Sequence, residues 1–139
     1  MIRSAAKGGT IAYDLAERYA GYIACLNRQD WAGLPQFVAE DVCYNEERIG
    51  LSGYRAMLQG NYRDIPDLRF DVALLVHDQL WVASRLQFDC TPVADFLGLQ
   101  VNGRRISFAE NVIYQFAAGK IEAVWSIVDK AAIEAQLRR

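Results

Sequence analysis

One histidine, His77, and three irregularly spaced cysteines, Cys25, Cys43 and Cys90, are all that 139 residues offer a soft metal ion. This excludes a histidine-built zinc or iron site and a CxxC metal or redox pair. An odd number of cysteines gives no disulfide framework either, so they read as buried free thiols in a reducing compartment. No apolar run approaches membrane-spanning length, and the opening MIRSAAKGGT is too poor in apolar residues for a signal peptide. Charge of one sign is also missing. The 15 basic and 17 acidic residues are mixed along the chain to a net −2, with neither a basic stripe nor a charged tail. There is no internal repeat and no low-complexity segment. The expectation is a soluble, cytoplasmic protein with no nucleic-acid and no membrane partner.

What the chain does have is apolar bulk. Hydrophobic residues make up 53% of it, and at this length they build one domain with a sizeable core. Residues 1–9 read as a flexible leader ending in Gly8-Gly9, and residues 10–139 as a single domain. Thr10 is placed to cap a helix in which Ile11, Leu15, Tyr19, Tyr22, Ile23 and Leu26 recur at helical spacing to about Arg28. Asp30 is placed to cap a second, short helix with Trp31, Leu34, Phe37 and Val38 on its apolar face. A short strand is expected over Asp41 to Glu47. Ser52, or Leu51 before it, opens a third helix through Tyr54, Met57, Leu58 and Tyr62, ended by Pro66.

From Leu68 the period changes to two. Leu68, Phe70, Val72 and Leu74 alternate with polar neighbours up to His77, and Leu80 to Cys90 returns antiparallel. Residues 91–102 form a connecting loop, two further strands follow, and Asp129 caps a closing helix from Lys130 to Leu137. Helices followed by long antiparallel strands are the α+β pattern. The expected architecture is a cone: a curved antiparallel sheet wrapped around three N-terminal helices, with a short C-terminal helix.

The last strand pair holds the oddest residue. On Gly103 to Asp129, Ile106, Phe108, Glu110, Val112, Tyr114 and Phe116 share one strand face, as do Val124, Ser126 and Val128 on the next. Pairing Phe116 with Lys120 across a turn at Ala117-Ala118-Gly119 puts Glu110 opposite Ser126 and Val112 opposite Val124. A carboxylate in the middle of an apolar face is desolvated, which raises its pKa toward that of a working general base or acid. The alternative is a structural carboxylate paired with Arg85 or Arg55. If Glu110 faces inward, then Ile113, Ala123, Trp125 and Ile127 face out. An apolar outer patch of that kind points to a homodimer through the convex sheet face.

The segments FLGLQVNGRRISFAENVIYQF and GKIEAVWSIVD, supported by FVAEDV and DIPDLRFDV, resemble the SnoaL-like polyketide cyclase family of the nuclear-transport-factor-2-like superfamily. The resemblance covers about residues 11–137 and implies the cone fold. It also implies proton-transfer chemistry on a small hydrophobic, cyclic ligand in an apolar pocket, with no metal and no organic cofactor. The family's acid/base aspartate falls at Ser126, its assisting histidine at Val112, and a further histidine at Pro92; none is kept. An asparagine or histidine of the first strand falls at Tyr44 or Asn45. The candidate catalytic pair is therefore Glu110 and Ser126. Tyr44, Asn45, Trp81, Phe108, Val112, Tyr114 and Val124 are the candidate ligand-binding residues. Two functions stand open: a cofactor-independent lyase, isomerase or hydrolase, and a non-catalytic ligand-binding or assembly module of the same shape.

Overall fold

The computed structural model describes residues 12–139. The expected leader and the Thr10 cap lie outside these residues. Helix α1 spans Leu15–Asn27, and the side chain of Asp14 caps it by accepting from the Glu17 N–H at 3.2 Å. Leu15, Tyr19, Tyr22, Ile23 and Leu26 recur on its buried face. The expected second helix is a single 3-10 turn, Leu34–Gln36. Asp30 spends its side chain on the Gly33 N–H instead, at 3.0 Å, and so closes a turn rather than starting a helix. Val38 belongs to the next strand.

Strand β1 is Val38–Tyr44, three residues earlier than its polar end suggests, and β2 is the two-residue Glu47–Arg48. Helix α2 is Gly50–Asp64, followed by β3 Asp71–His77, β4 Trp81–Cys90, β5 Ile106–Ala117 and β6 Lys120–Val128. Helix α3, Lys130–Leu137, is capped by Asp129, whose side chain accepts from the Ala132 N–H at 3.1 Å. Among the described residues no helix is long and apolar enough to cross a membrane.

The six strands form one curved, unclosed sheet in the order β2-β1-β6-β5-β4-β3. Its pairings are antiparallel except β1 with β6, which run parallel. Strand β1 thus arrives beside the last strand after the helical segment has crossed the sheet. Parity along β4 and β5 is as the sequence implies: even-numbered residues are covered and odd-numbered ones largely exposed. The covered face meets α1 and α2. At one end Phe108 stacks on Phe88 (5.2 Å between centroids) and touches Phe96 (5.5 Å), while Phe70 meets Phe88 edge-on.

The β5–β6 register departs from expectation in two places. The turn is the two-residue Ala118-Gly119, both at positive φ, so that Ala117 rather than Phe116 pairs with Lys120. A bulge then follows between the pairs Phe116–Ile121 and Gln115–Ala123. Val112 therefore lies opposite Ser126, and Glu110 opposite Val128.

Candidate functional site

Three rows of side chains cross the covered face of β4, β5 and β6. The first is Leu86, Glu110, Val128; the second is Ser84, Val112, Ser126; the third is Val82, Tyr114, Val124. Although Ser126 is diagonal to Glu110 rather than opposite it, its hydroxyl donates to the Glu110 carboxylate. The β6 backbone is fixed at this point by Asn45. The Ser126 N–H donates to Asn45 Oδ1 at 2.8 Å, and the Asn45 N–H donates to the Val124 carbonyl at 2.8 Å. Asn45 reaches both from a left-handed turn (φ 47°) that suits asparagine. Just before it, half-buried Tyr44 sets its ring against Tyr54 and its phenol beside the Ser126 hydroxyl.

The helices cover this surface with phenols. Tyr22 of α1 and Tyr54 of α2 join their hydroxyls at 2.6 Å, and Tyr19 donates to Tyr114 of β5 at 3.3 Å. Burial raises the pKa of every one of them, that of Tyr19 to about 12. The negative charge of Glu110 pushes Tyr19, Tyr22, Tyr44 and Tyr54 further the same way. All therefore stay protonated near neutral pH, able to donate hydrogen bonds.

Glu110 is the acidic group under this cover. Burial raises its pKa above the usual carboxylate range, and the hydrogen bond from Ser126 offsets only part of that rise. Among the described residues no cation contributes. Arg85 lies on the opposite face and donates to Asn111 Oδ1 at 3.0 Å, and no ion pair joins Arg55 to Glu110. The structural alternative of a Glu110–arginine pair is thereby removed. On that same outer face Arg105 holds the Asp89 carboxylate with two bonds of 2.9 and 3.0 Å.

Of the expected site residues, the fold brings together Glu110, Ser126, Tyr44, Val112, Tyr114 and Val124. Trp81 is a correction: as an odd-numbered β4 residue it lies on the outer face, 6.1 Å from the Trp125 ring. Asn45 is exposed and acts as a strut for β6, and Phe108 is committed to the aromatic stack. Sequence reasoning missed Tyr19, Tyr22, Tyr54 and Ser84. Some signal existed, since Ser84 is the one polar residue in the row Leu80, Val82, Leu86, Phe88. The three tyrosines read as ordinary core aromatics because nothing local shows that two helices bring their hydroxyls together within reach of the Glu110 charge. An open groove of ≈ 420 Å³ lies away from Glu110, between α1 and the start of β3, where Ile23, Asn27, Phe70 and Val72 line it.

A family profile for SnoaL-like polyketide cyclases matches residues 16–137. The chain belongs to the SnoaL-like polyketide cyclase family. Among solved structures, a SnoaL-like polyketide cyclase from Agrobacterium tumefaciens superposes with a TM-score of 0.89 at 49% identity, over 90% of this chain and 98% of that one. TsrD from Streptomyces laurentii aligns at 25% identity and a TM-score of 0.73, over 88% of this chain and 91% of that one. IdmH from Streptomyces antibioticus shares the fold at 21% identity and a TM-score of 0.79, over 91% of this chain and 100% of that one. Comparison with curated proteins found no match. In this SnoaL-like chain the hydroxyl of Ser126 on β6 points at the Glu110 carboxylate on β5.

Proposed function

We propose that this SnoaL-like protein binds a small hydrophobic, cyclic molecule under its helices and moves a proton on it through Glu110. The observation that carries this reading is a covered carboxylate with a hydroxyl partner and no cation. Ionised, Glu110 has one oxygen engaged by Ser126 and the other free to take a proton, for instance from carbon next to a ketone. As the proton leaves, negative charge passes from Glu110 to the ligand oxygen. Among Tyr19, Tyr22, Tyr54 and Tyr114, two phenol protons are left to donate to it in a site of low dielectric: that of Tyr114, which accepts from Tyr19, and the one not shared between Tyr22 and Tyr54.

Deuterium exchange into β-tetralone, a flat ketone with acidic α-hydrogens, tests the reading. The wild type should accelerate exchange, and Glu110→Gln, close in shape but unable to take the proton, should lose about a hundredfold or more of it. Equal exchange by both proteins removes Glu110 as the base.

A second reading, a binding module without turnover, draws on the tight cover over Phe108, Val112, Tyr114 and Val124, all buried. It predicts β-tetralone binding with no exchange above background. Under either reading the sheet's outer face is the proposed homodimer contact. Ile113 and Ile127 there are 48% and 74% exposed, flanking the Trp81–Trp125 pair. Sedimentation of Ile127→Glu should give a monomer if that face is the contact, and an unchanged dimer would place the contact elsewhere.

A further inference from the structure

A single row of side chains crosses four neighbouring strands: Ser126 of β6, Val112 of β5, Ser84 of β4 and Leu75 of β3. Its two hydroxyls behave differently. Ser126 donates to Glu110, whereas Ser84, only 5% exposed, has no hydrogen-bond partner for its Oγ. A buried hydroxyl without a partner destabilises the fold that contains it, so its retention in a close-packed core calls for something that satisfies it. The nearest candidate, Tyr19, gives its proton to Tyr114; Ser84 lies close enough to lower the Tyr19 pKa against the larger effect of burial, yet no hydrogen bond of ordinary geometry joins the two hydroxyls. Leu75, the cross-strand partner of Ser84, is 37% exposed, so solvent reaches the inner sheet surface within one strand of the orphaned hydroxyl.

We infer that Ser84 is a second polar contact of the ligand site, so that the bound molecule is a flat ring system with hydrogen-bonding oxygens at two edges, lying across Val112 between Ser126 and Ser84. This rests on the reading of that surface as a ligand site. Strands two apart in a sheet are separated by about 10 Å, a span that suits a fused bicyclic or larger ring. A hydroxyl both donates and accepts, so the second oxygen can be a ketone or a phenol. The division of labour is plain: Glu110 and Ser126 handle the edge that exchanges protons, and Ser84 fixes the far edge. Ser84 is thus a positioning contact, and a ligand oxygenated at one edge leaves it unsatisfied.

Two probes of one shape test this: β-naphthol, with one hydroxyl, and a naphthalenediol with hydroxyls on opposite rings. The diol should bind the wild type more tightly. Ser84→Ala should weaken the diol by about three- to tenfold, the value of one hydrogen bond, and leave β-naphthol unchanged. Its ligand-free melting temperature should hold or rise, because the orphan is gone; a merely structural hydroxyl would lower it. Ser84→Cys, nearly the same shape with a poorly bonding sulfur, should show the same selective loss and serves if the alanine variant folds poorly. A Ser84→Ala protein that weakens neither probe, or both equally, overturns the second contact. So does a wild type that binds neither probe. In each of those cases β-tetralone exchange reports independently whether the Glu110 reading survives.

Discussion

The two faces of the same three strands treat charge in opposite ways. On the outer face Asp89 is neutralised by Arg105, Arg85 is met by Asn111, and Gln87 bonds Ser107. Arg105 holds the Asp89 carboxyl below the usual range, where it is fully ionised and open to water. On the inner face, Glu110 has a hydroxyl for a partner and burial drives its pKa up. The outer carboxylate is matched with a cation, while the inner one, for which proton transfer is proposed, is left with its charge unbalanced. The contrast depends on strand parity alone, since Asp89 and Glu110 stand on adjacent strands of one sheet.

The largest effect that would break or sharpen this comparison is kinetic. Glu110→Gln removes about a hundredfold or more of β-tetralone exchange, whereas Asp89→Asn leaves it unchanged. Equal losses would mean that the two faces do not differ in function. Next comes Ser126→Ala. Without the hydroxyl that donates to its ionised form, Glu110 should titrate higher still, and the pH at which exchange sets in should move up with it; an unmoved pH profile would mean that Ser126 does not act on Glu110.

A smaller effect lies in stability against pH. Because the folded-state pKa of Glu110 is raised, both states are protonated below the unfolded value of about 4.5 and nothing is lost there. As pH climbs from that value through the raised folded one, the unfolded chain releases its proton first and stability falls; above both it levels off. Melting curves of the wild type should therefore lose ground to Glu110→Gln over that window as pH rises, and parallel curves would contradict the burial of the charge. Asp89 has the opposite sign, its contribution being lost as pH falls through its depressed value. Since the Asp89–Arg105 pair is exposed, Asp89→Asn should move the melting temperature least of all.

Much of this was legible because period-two alternation survives in single sequences. The β4 and β5 faces, the α+β order and the inward Glu110 all follow from it. Register was less accessible. A turn of Ala118-Gly119 instead of three residues shifts the pairing by one, and the bulge before Ala123 shifts it by one more. Either shift alone would have turned Ser126 to the outer face; together they restore parity, so Ser126 still reaches Glu110, by the diagonal. Trp81 shows the converse. Its aromatic character suggested a ligand wall, yet its position one residue before inward-facing Val82 places it outside. The phenols of Tyr19, Tyr22 and Tyr54 are set by how two helices lie on the sheet, which local periodicity does not encode.

The central claim is a carboxylate whose charge no cation balances, and following its carboxyl carbon by NMR through a pH titration tests it directly. In a sample labelled at glutamate side chains, with Glu110→Gln assigning the resonance, the account predicts a midpoint clearly above the ordinary 4.5. A midpoint at or below that value would mean that water or a cation reaches Glu110, and the proposed chemistry would go with it.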